Sequence, residues 1–163
     1  MEPVLMGPTE QQARDRALRT AANVLQYRQR SARALYDRLL EKGLEPELAE
    51  YAVERLQQLG YLNDAEYGRL LVRELSARGY GAGRIRQELR EKKLEPEALE
   101  AAMEEYQADP ERLRRYIEGK LRGQAPDRRM LKKVSDGLFR RGFSWEEIRA
   151  ALRRYADQLE DTE

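Results

Sequence analysis

The sequence contains neither cysteine nor histidine among its 163 residues. These absences exclude disulfides, zinc sites built from cysteine and histidine, cysteine nucleophiles and triads that use histidine as general base. No apolar run approaches the roughly 20 residues that cross a bilayer. The N-terminal segment MEPVLMGPT has an acid where a signal peptide has basic residues. We therefore expect a cytoplasmic protein that contacts no membrane and needs no metal or other cofactor.

An excess of one charge sign is also missing. The chain has 31 basic and 30 acidic residues, a formal net charge of +1, so the total gives no evidence for a nucleic-acid partner. Charged residues make up 37% and hydrophobic residues 40% of the chain, which is typical of a globular protein rather than a disordered one. Any charge signal must lie in the distribution of charge along the chain.

The chain repeats itself at an interval of about 50 residues. Residues 31–56 and 81–106 share 11 identities in 26 positions without a gap, including the block Leu-Glu-Pro-Glu at residues 44–47 and 94–97. A fainter third copy lies at an offset of 99, where Phe-Ser-Trp-Glu at residues 143–146 replaces that block. We predict a flexible N-terminus over residues 1–9, followed by repeats over residues 10–60, 61–107 and 108–163.

Each copy has the pattern of three helices. Capping signals precede helices in the outer copies: Thr9 with Gln12, Asp109, and Ser144 with Glu147. The predicted helices cover about residues 10–28, 32–42, 46–59, 63–78, 82–92, 96–106, 110–122, 127–141 and 145–159. No stretch alternates like a strand. We expect an all-α protein, built as an elongated, curved array of three tandem three-helix repeats that share apolar faces.

Charge is segregated within the copies. Residues 79–93 hold five basic and two acidic residues, whereas residues 94–106 hold five acids and no base. The first copy repeats this polarity, and residues 112–141 hold eleven basic residues against three acids. First and second helices are therefore basic, and third helices in copies one and two are acidic. A basic stripe could follow a phosphate backbone or the acidic face of a nucleoprotein; solvated helices with i,i+4 ion pairs are the alternative.

The basic residues predicted to form this stripe, and to bind DNA or a nucleoprotein filament, are Arg28, Arg30, Arg33, Arg78, Arg84, Arg86, Arg128, Arg129, Lys132, Lys133, Arg140 and Arg141. The glycine-rich segment at residues 79–83 resembles a phosphate cradle, but it lacks a preceding strand and a following Lys-Ser/Thr, so a flexible turn is favoured. Most aromatic residues, such as Tyr36, Tyr67, Tyr106 and Tyr155, fall on apolar stripes, which favours core packing over base stacking. We expect no active site.

Five short motifs together resemble the RecX family of bacterial regulatory proteins. They are Arg28-Gln29-Arg30-Ser31, Leu39 with Gly43, the segment GYLNDAEY at residues 60–67, RIRQEL at residues 84–89 and Arg141-Gly142-Phe143. The resemblance covers about residues 10–158. One position departs from the family pattern, because Lys93 stands where the family has a turn glycine. This predicts a lysine at positive φ, at a cost of about 1 kcal/mol.

The resemblance implies a non-enzymatic modulator of the RecA recombinase. RecX proteins lodge along the RecA filament on DNA and repress its ATP hydrolysis, strand exchange and co-protease activity. By this resemblance the partners are the RecA filament and DNA, both single-stranded and double-stranded. The processes concerned are homologous recombination, DNA repair and the SOS response, and we expect a monomer. Two alternatives remain at this stage: a helical adaptor that binds only a protein, and a metal-dependent nuclease.

Overall fold

The computed structural model describes residues 8–161, and this part of the chain forms nine α-helices and no strand. The helices are α1 (Pro8–Tyr27), α2 (Ala32–Glu41), α3 (Pro46–Gln58), α4 (Asp64–Ala77), α5 (Ala82–Glu91), α6 (Pro96–Met103), α7 (Pro110–Leu121), α8 (Arg128–Arg140) and α9 (Trp145–Asp161). Three tandem three-helix repeats are thereby confirmed. None of these helices is both long and apolar enough to span a membrane.

The helix ends match the sequence pattern with two exceptions. Asp109 and the reciprocal pair of Ser144 and Glu147 cap α7 and α9 as expected. Thr9, expected as a cap, is instead a helical residue of α1, and the expected flexible segment otherwise lies outside the described residues. The helix α6 ends at Met103, three residues before Tyr106, which was expected to lie within it. The backbone N–H of Tyr106 donates to the Met103 carbonyl.

Contacts divide the chain into two compact units. The N-terminal unit consists of Met1–Arg69 with Leu89–Ala101, and the C-terminal unit consists of Leu70–Glu88 with Ala102–Glu163. The middle repeat therefore contributes to both units. Sequence periodicity does not reveal this division, because the helices α4, α5 and α6 are each continuous in sequence across it.

Each unit has its own hydrophobic core. In the N-terminal unit α1, α2 and α3 pack around Leu35 and Leu39, which are fully buried. In the C-terminal unit α7, α8 and α9 pack around Ile117, Leu138 and Ile148. Complete burial of one such side chain stabilises the folded state by about 2 kcal/mol. These two cores hold in place the pairs of helices that carry the basic residues.

A backbone junction joins α5 to α8 within the C-terminal unit. The N–H groups of Gly81 and Gly83 donate to the carbonyls of Arg141 and Gly142, at 2.7 and 3.0 Å. A Cβ on Gly81 would lie 2.7 Å from the Gly142 backbone. The glycine-rich segment thus forms the expected turn between α4 and α5, and its end is held in a tight contact with the C-terminal end of α8. Its N–H groups are already paired, which also leaves no phosphate cradle there.

An equivalent junction in the N-terminal unit uses side chains. Ser31 is fully buried at the N-cap of α2, where its hydroxyl accepts from the Ala34 N–H and donates to the Lys92 carbonyl at 2.8 Å. Lys93 has φ of 61°, which confirms the positive φ expected for this position. Its ammonium lies 2.6 Å from the Asp37 carboxylate. The lysine therefore offsets part of its backbone strain with an ion pair.

Candidate nucleic-acid interface

A cleft between α7 and α8 in the C-terminal unit is rimmed by three cations. Its volume is about 260 Å³, and Lys120, Lys133 and Arg140 line it together with an apolar floor. Helical spacing explains the convergence, because Lys133 and Arg140 are seven residues apart and so share one face of α8. No acidic residue lines the cleft. Its electrostatic character therefore favours an anion.

The floor of this cleft depends on one close approach. Tyr116, Met130 and Val134 lie along it, and the Tyr116 hydroxyl comes within 2.7 Å of the position that a Cβ on Gly137 would occupy. Lys120 lies over the Tyr116 ring, with its ammonium 5.7 Å from the ring centroid. A glycine at position 137 thus lets the tyrosine ring reach α8 and keeps the cleft narrow.

A second cavity of the C-terminal unit shares Arg140 with this cleft. Its volume is about 400 Å³, and its lining includes Arg84, Gln87, Phe139 and Glu147. The Glu147 carboxylate accepts from the Ser144 N–H at 3.0 Å, so its charge is used to cap α9. Because Arg140 lines both cavities, the two form neighbouring parts of one cationic surface.

The N-terminal unit has a cationic cleft of its own between α1 and α2. It measures about 490 Å³ and is lined by Arg30, Arg38 and Lys42, with Asn23 and Tyr27 among the other residues. The Arg30 Nε is buried and has no hydrogen-bond partner. Burial lowers the pKa of Arg30, and the neighbouring charges of Arg28 and Arg38 lower it further. A bound anion would relieve both penalties.

The structure distributes the twelve predicted residues over three environments. Arg30, Lys133 and Arg140 line the clefts just described, and Arg84 lines the cavity beside Arg140. Arg28, Arg78, Arg128 and Arg129 are exposed outside them, and Arg86 is half-buried. Neighbours hold the other three: Arg33 pairs with Asp37, Lys132 pairs with Asp136, and Arg141 lies over the Tyr116 ring at 5.1 Å. Arg84 is likewise paired, with Glu88 at 2.9 Å. Their role in binding stays a prediction.

Sequence reasoning missed four residues of these surfaces. Lys120, Arg38 and Lys42 complete the two clefts, and Phe139 lines the second cavity of the C-terminal unit. The sequence did contain a spacing pattern that could have predicted the three cations. Arg38 and Lys42 are four residues apart on α2 and its C-cap, and Lys120 follows Tyr116 by four, so each pair shares a helix face.

The third helices of the first two repeats present acids to solvent. Glu47, Glu50 and Glu54 are exposed on α3, and Glu97 and Glu100 are exposed on α6. The charge segregation seen in the sequence thus appears on exposed side chains. In residues 8–161, no three or more acidic, cysteine or histidine side chains are grouped so as to hold a metal ion.

Comparison with protein families gives matches over nearly the whole chain. Residues 13–56 match the first three-helix domain of RecX, residues 63–103 the second, and residues 107–152 the third. Regulatory protein RecX from Xanthomonas oryzae pv. oryzae (strain MAFF 311018) is 39% identical over 135 residues, 82% of this chain and 84% of the relative. The protein of that name from Stenotrophomonas maltophilia (strain R551-3) is 36% identical over 148 residues, 90% and 88% of the two chains.

Solved structures show the same fold. The crystal structure of RecX from Lactobacillus salivarius aligns with a TM-score of 0.80 and 20% identity, over 89% of this chain and 97% of the other. A second crystal structure, of a regulatory protein RecX, aligns with a TM-score of 0.74 and 21% identity, over 94% and 81% of the chains. At 20% and 21% sequence identity, the similarity to these two structures is a similarity in the arrangement of the helices.

Proposed function

The chain belongs to the RecX family of regulatory proteins, and from that premise we propose that it binds the RecA–DNA filament and inhibits RecA. The family is regulatory, and the chain is not an enzyme. Inhibition would extend to ATP hydrolysis, strand exchange and co-protease activity, since all three require the active filament. The protein would then act in the cytoplasm as a monomer, in homologous recombination, DNA repair and the SOS response.

The observation that supports direct DNA contact is the pair of equivalent clefts. In each compact unit, the cleft between the first and second helices of the outer repeat is lined by three cations: Arg30, Arg38 and Lys42 in one unit, and Lys120, Lys133 and Arg140 in the other. Phosphates are the anions that a filament on DNA presents in a row. Arginine suits them because its planar guanidinium donates two parallel hydrogen bonds.

The acidic third helices supply the second half of the proposal. Their exposed glutamates, such as Glu50 and Glu97, are separate in sequence from the cations of the clefts. They would face lysine and arginine side chains of a RecA subunit while the clefts face DNA phosphates. Charge complementarity of this kind fixes orientation and speeds association more than it adds affinity.

The test is the ATPase activity of RecA on single-stranded DNA, measured with and without the purified protein. We expect hydrolysis to slow at ratios well below one protein per RecA monomer, because a chain of three repeats can contact more than one subunit. An unchanged rate at equimolar protein would contradict the proposal. Inhibition by a protein that fails to bind DNA at low salt would support a protein-only adaptor instead.

A further inference from the structure

We propose that the exposed Phe139–Trp145 pair is a stacking platform for unpaired nucleobases and gives the protein a preference for single-stranded over duplex DNA. The inference rests on the proposed function, in that it concerns the DNA that the cationic clefts would hold. It adds a second kind of contact, to bases rather than phosphates, and names the residues that make it.

The geometry of the pair is that of an open stack. Phe139 on α8 and Trp145 at the start of α9 have ring centroids 4.6 Å apart and planes inclined by 12°. Each ring covers one face of the other, yet 50% of Phe139 and 44% of Trp145 remain exposed. The accessible surface is therefore on the outer faces and edges, where another flat ring can continue the stack.

The pair is not needed to close the core. Phe143, in the turn between α8 and α9, and Tyr155 on α9 are the buried aromatic residues of the core of the C-terminal unit, with 7% and 3% of their surfaces exposed. Phe139 and Trp145 lie outside that cluster. Two large rings that remain about half exposed outside the core are typical of a binding site.

The charges around the pair favour a nucleic acid as the occupant. Phe139 lines the cavity that also contains Arg140 and Arg84, the latter ion-paired with Glu88, and Arg140 continues into the cleft of Lys120 and Lys133. The acid of that cavity, Glu147, is bonded to the Ser144 N–H. A strand could thus place phosphates along the cations and bases on the aromatic rings, which is how single-stranded binding proteins combine the two.

Duplex DNA cannot use this platform, because its bases are already paired and stacked on one another. It can reach only the cations, through its phosphates. Base stacking should therefore add affinity for single strands alone. This separates the platform from the general electrostatic attraction of the surface.

Trp145 makes the first measurement simple, since it is the sole tryptophan of the chain. We expect an oligonucleotide of deoxythymidine to quench the tryptophan fluorescence of the full-length protein in a saturable manner. A duplex of equal length, bound to the same saturation, should quench far less. Saturable binding of the oligonucleotide without any change in tryptophan emission would overturn the proposal.

Two substitutions of Phe139 distinguish the contribution of ring stacking from that of an apolar side chain of similar size. Phe139→Leu keeps an apolar side chain without a ring, and Phe139→Tyr keeps the ring. Because position 139 is half exposed, both variants should fold, which circular dichroism checks. We expect Phe139→Leu to lose about tenfold in affinity for the oligonucleotide, and Phe139→Tyr to bind like the parent. Affinity for duplex should be the same in all three proteins.

Tyr61→Ala provides the matched control, since Tyr61 is 74% exposed in the N-terminal unit and lines none of the three cavities. It should bind both DNAs like the parent. If Phe139→Leu binds single strands as tightly as the parent, the platform is wrong. If that variant keeps its DNA affinity but loses inhibition of RecA, the pair is a protein contact and the proposal is also wrong. A parent that leaves RecA unaffected while the Phe139 effect persists would overturn only the proposed function.

Discussion

The backbone N–H of Gly81 lies 2.7 Å from the carbonyl oxygen of Arg141, within the C-terminal unit. With the bond from Gly83 to Gly142, it pairs donors at the N-terminal end of α5 with carbonyls at the C-terminal end of α8. Helix ends leave such groups without partners in their own helix, and the opposite partial charges of the two ends attract. The contact requires glycine, since a Cβ on Gly142 would clash with the backbone nitrogen of Arg84.

Gly142→Ala should therefore destabilise the protein by about 3 kcal/mol or more. Its φ of 100° disfavours a side chain, and the clash would separate the helix ends and break both bonds. Gly43→Ala is the control, because Gly43 has a φ of 92° at the equivalent position but open space around it. We expect that variant to lose only about 1 kcal/mol. Urea unfolding measures the free energy of unfolding of both variants. Equal losses of that free energy would contradict a role for the close contact.

Ser31→Ala should cost more than the loss of an ordinary helix cap. The buried hydroxyl caps α2 and also bonds the Lys92 carbonyl, so its removal leaves that carbonyl without this donor. We expect a loss of about 2 kcal/mol or more in the free energy of unfolding. Ser144→Ala, at an exposed cap of α9, should lose about 1 kcal/mol. Similar losses in thermal or urea unfolding would show that the bond to Lys92 is unimportant.

Asp64→Asn should stabilise the protein at neutral pH. Burial raises the pKa of Asp64, although the Ala32 N–H donates to its carboxylate, and an asparagine oxygen can accept that same bond. A raised pKa means that folding favours the protonated acid, so the parent loses stability as pH rises from the unfolded pKa through the folded one. The advantage of the variant should thus be largest at neutral pH and shrink in acid, as measured by urea unfolding across pH.

Asp37→Asn is expected to behave in the opposite way. The hydrogen bond from Lys93 lowers the pKa of Asp37, so this acid stabilises the fold above its unfolded pKa and the contribution is lost as pH falls through the folded pKa. The variant should be less stable than the parent at neutral pH and equal to it in acid. If Asp37→Asn and Asp64→Asn change the free energy of unfolding in the same direction at neutral pH, the assignment of these pKa shifts is wrong.

Neutralising two cations of the C-terminal cleft should weaken DNA binding and its salt dependence. Lys120→Gln with Lys133→Gln removes two of the cations that line one cleft while keeping good helix formers. We expect weaker binding to single-stranded DNA and a salt slope of log K shallower by about 0.7 for each lost phosphate contact. Arg153→Gln with Arg154→Gln, exposed on α9, removes the same charge outside the cavities and should change both quantities less. Equal effects would show that only net charge matters.

The sequence by itself determined the helices, their order and their repetition. Periodicity and capping residues act within about four positions along the chain, so they specify α7 or α9 without any knowledge of the fold. The family pattern, which has a turn glycine where this chain has Lys93, identified the positive φ of that lysine, and its equivalents in the other copies, Gly43 and Gly142, are glycines at positive φ. Local backbone conformation can therefore be predicted at one position from the residues at equivalent positions.

The tertiary structure decided which residues meet. The sequence places Lys120 and Lys133 in different helices, and only the packing of α7 against α8 brings them to one cleft. The packing also leaves Phe139 outside the core while Phe143 enters it. It divides the middle repeat between two compact units. It brings the glycine-rich segment against the C-terminal end of α8. These outcomes depend on how side chains distant in sequence fill a shared core, and that is a property of the whole fold rather than of any one helix.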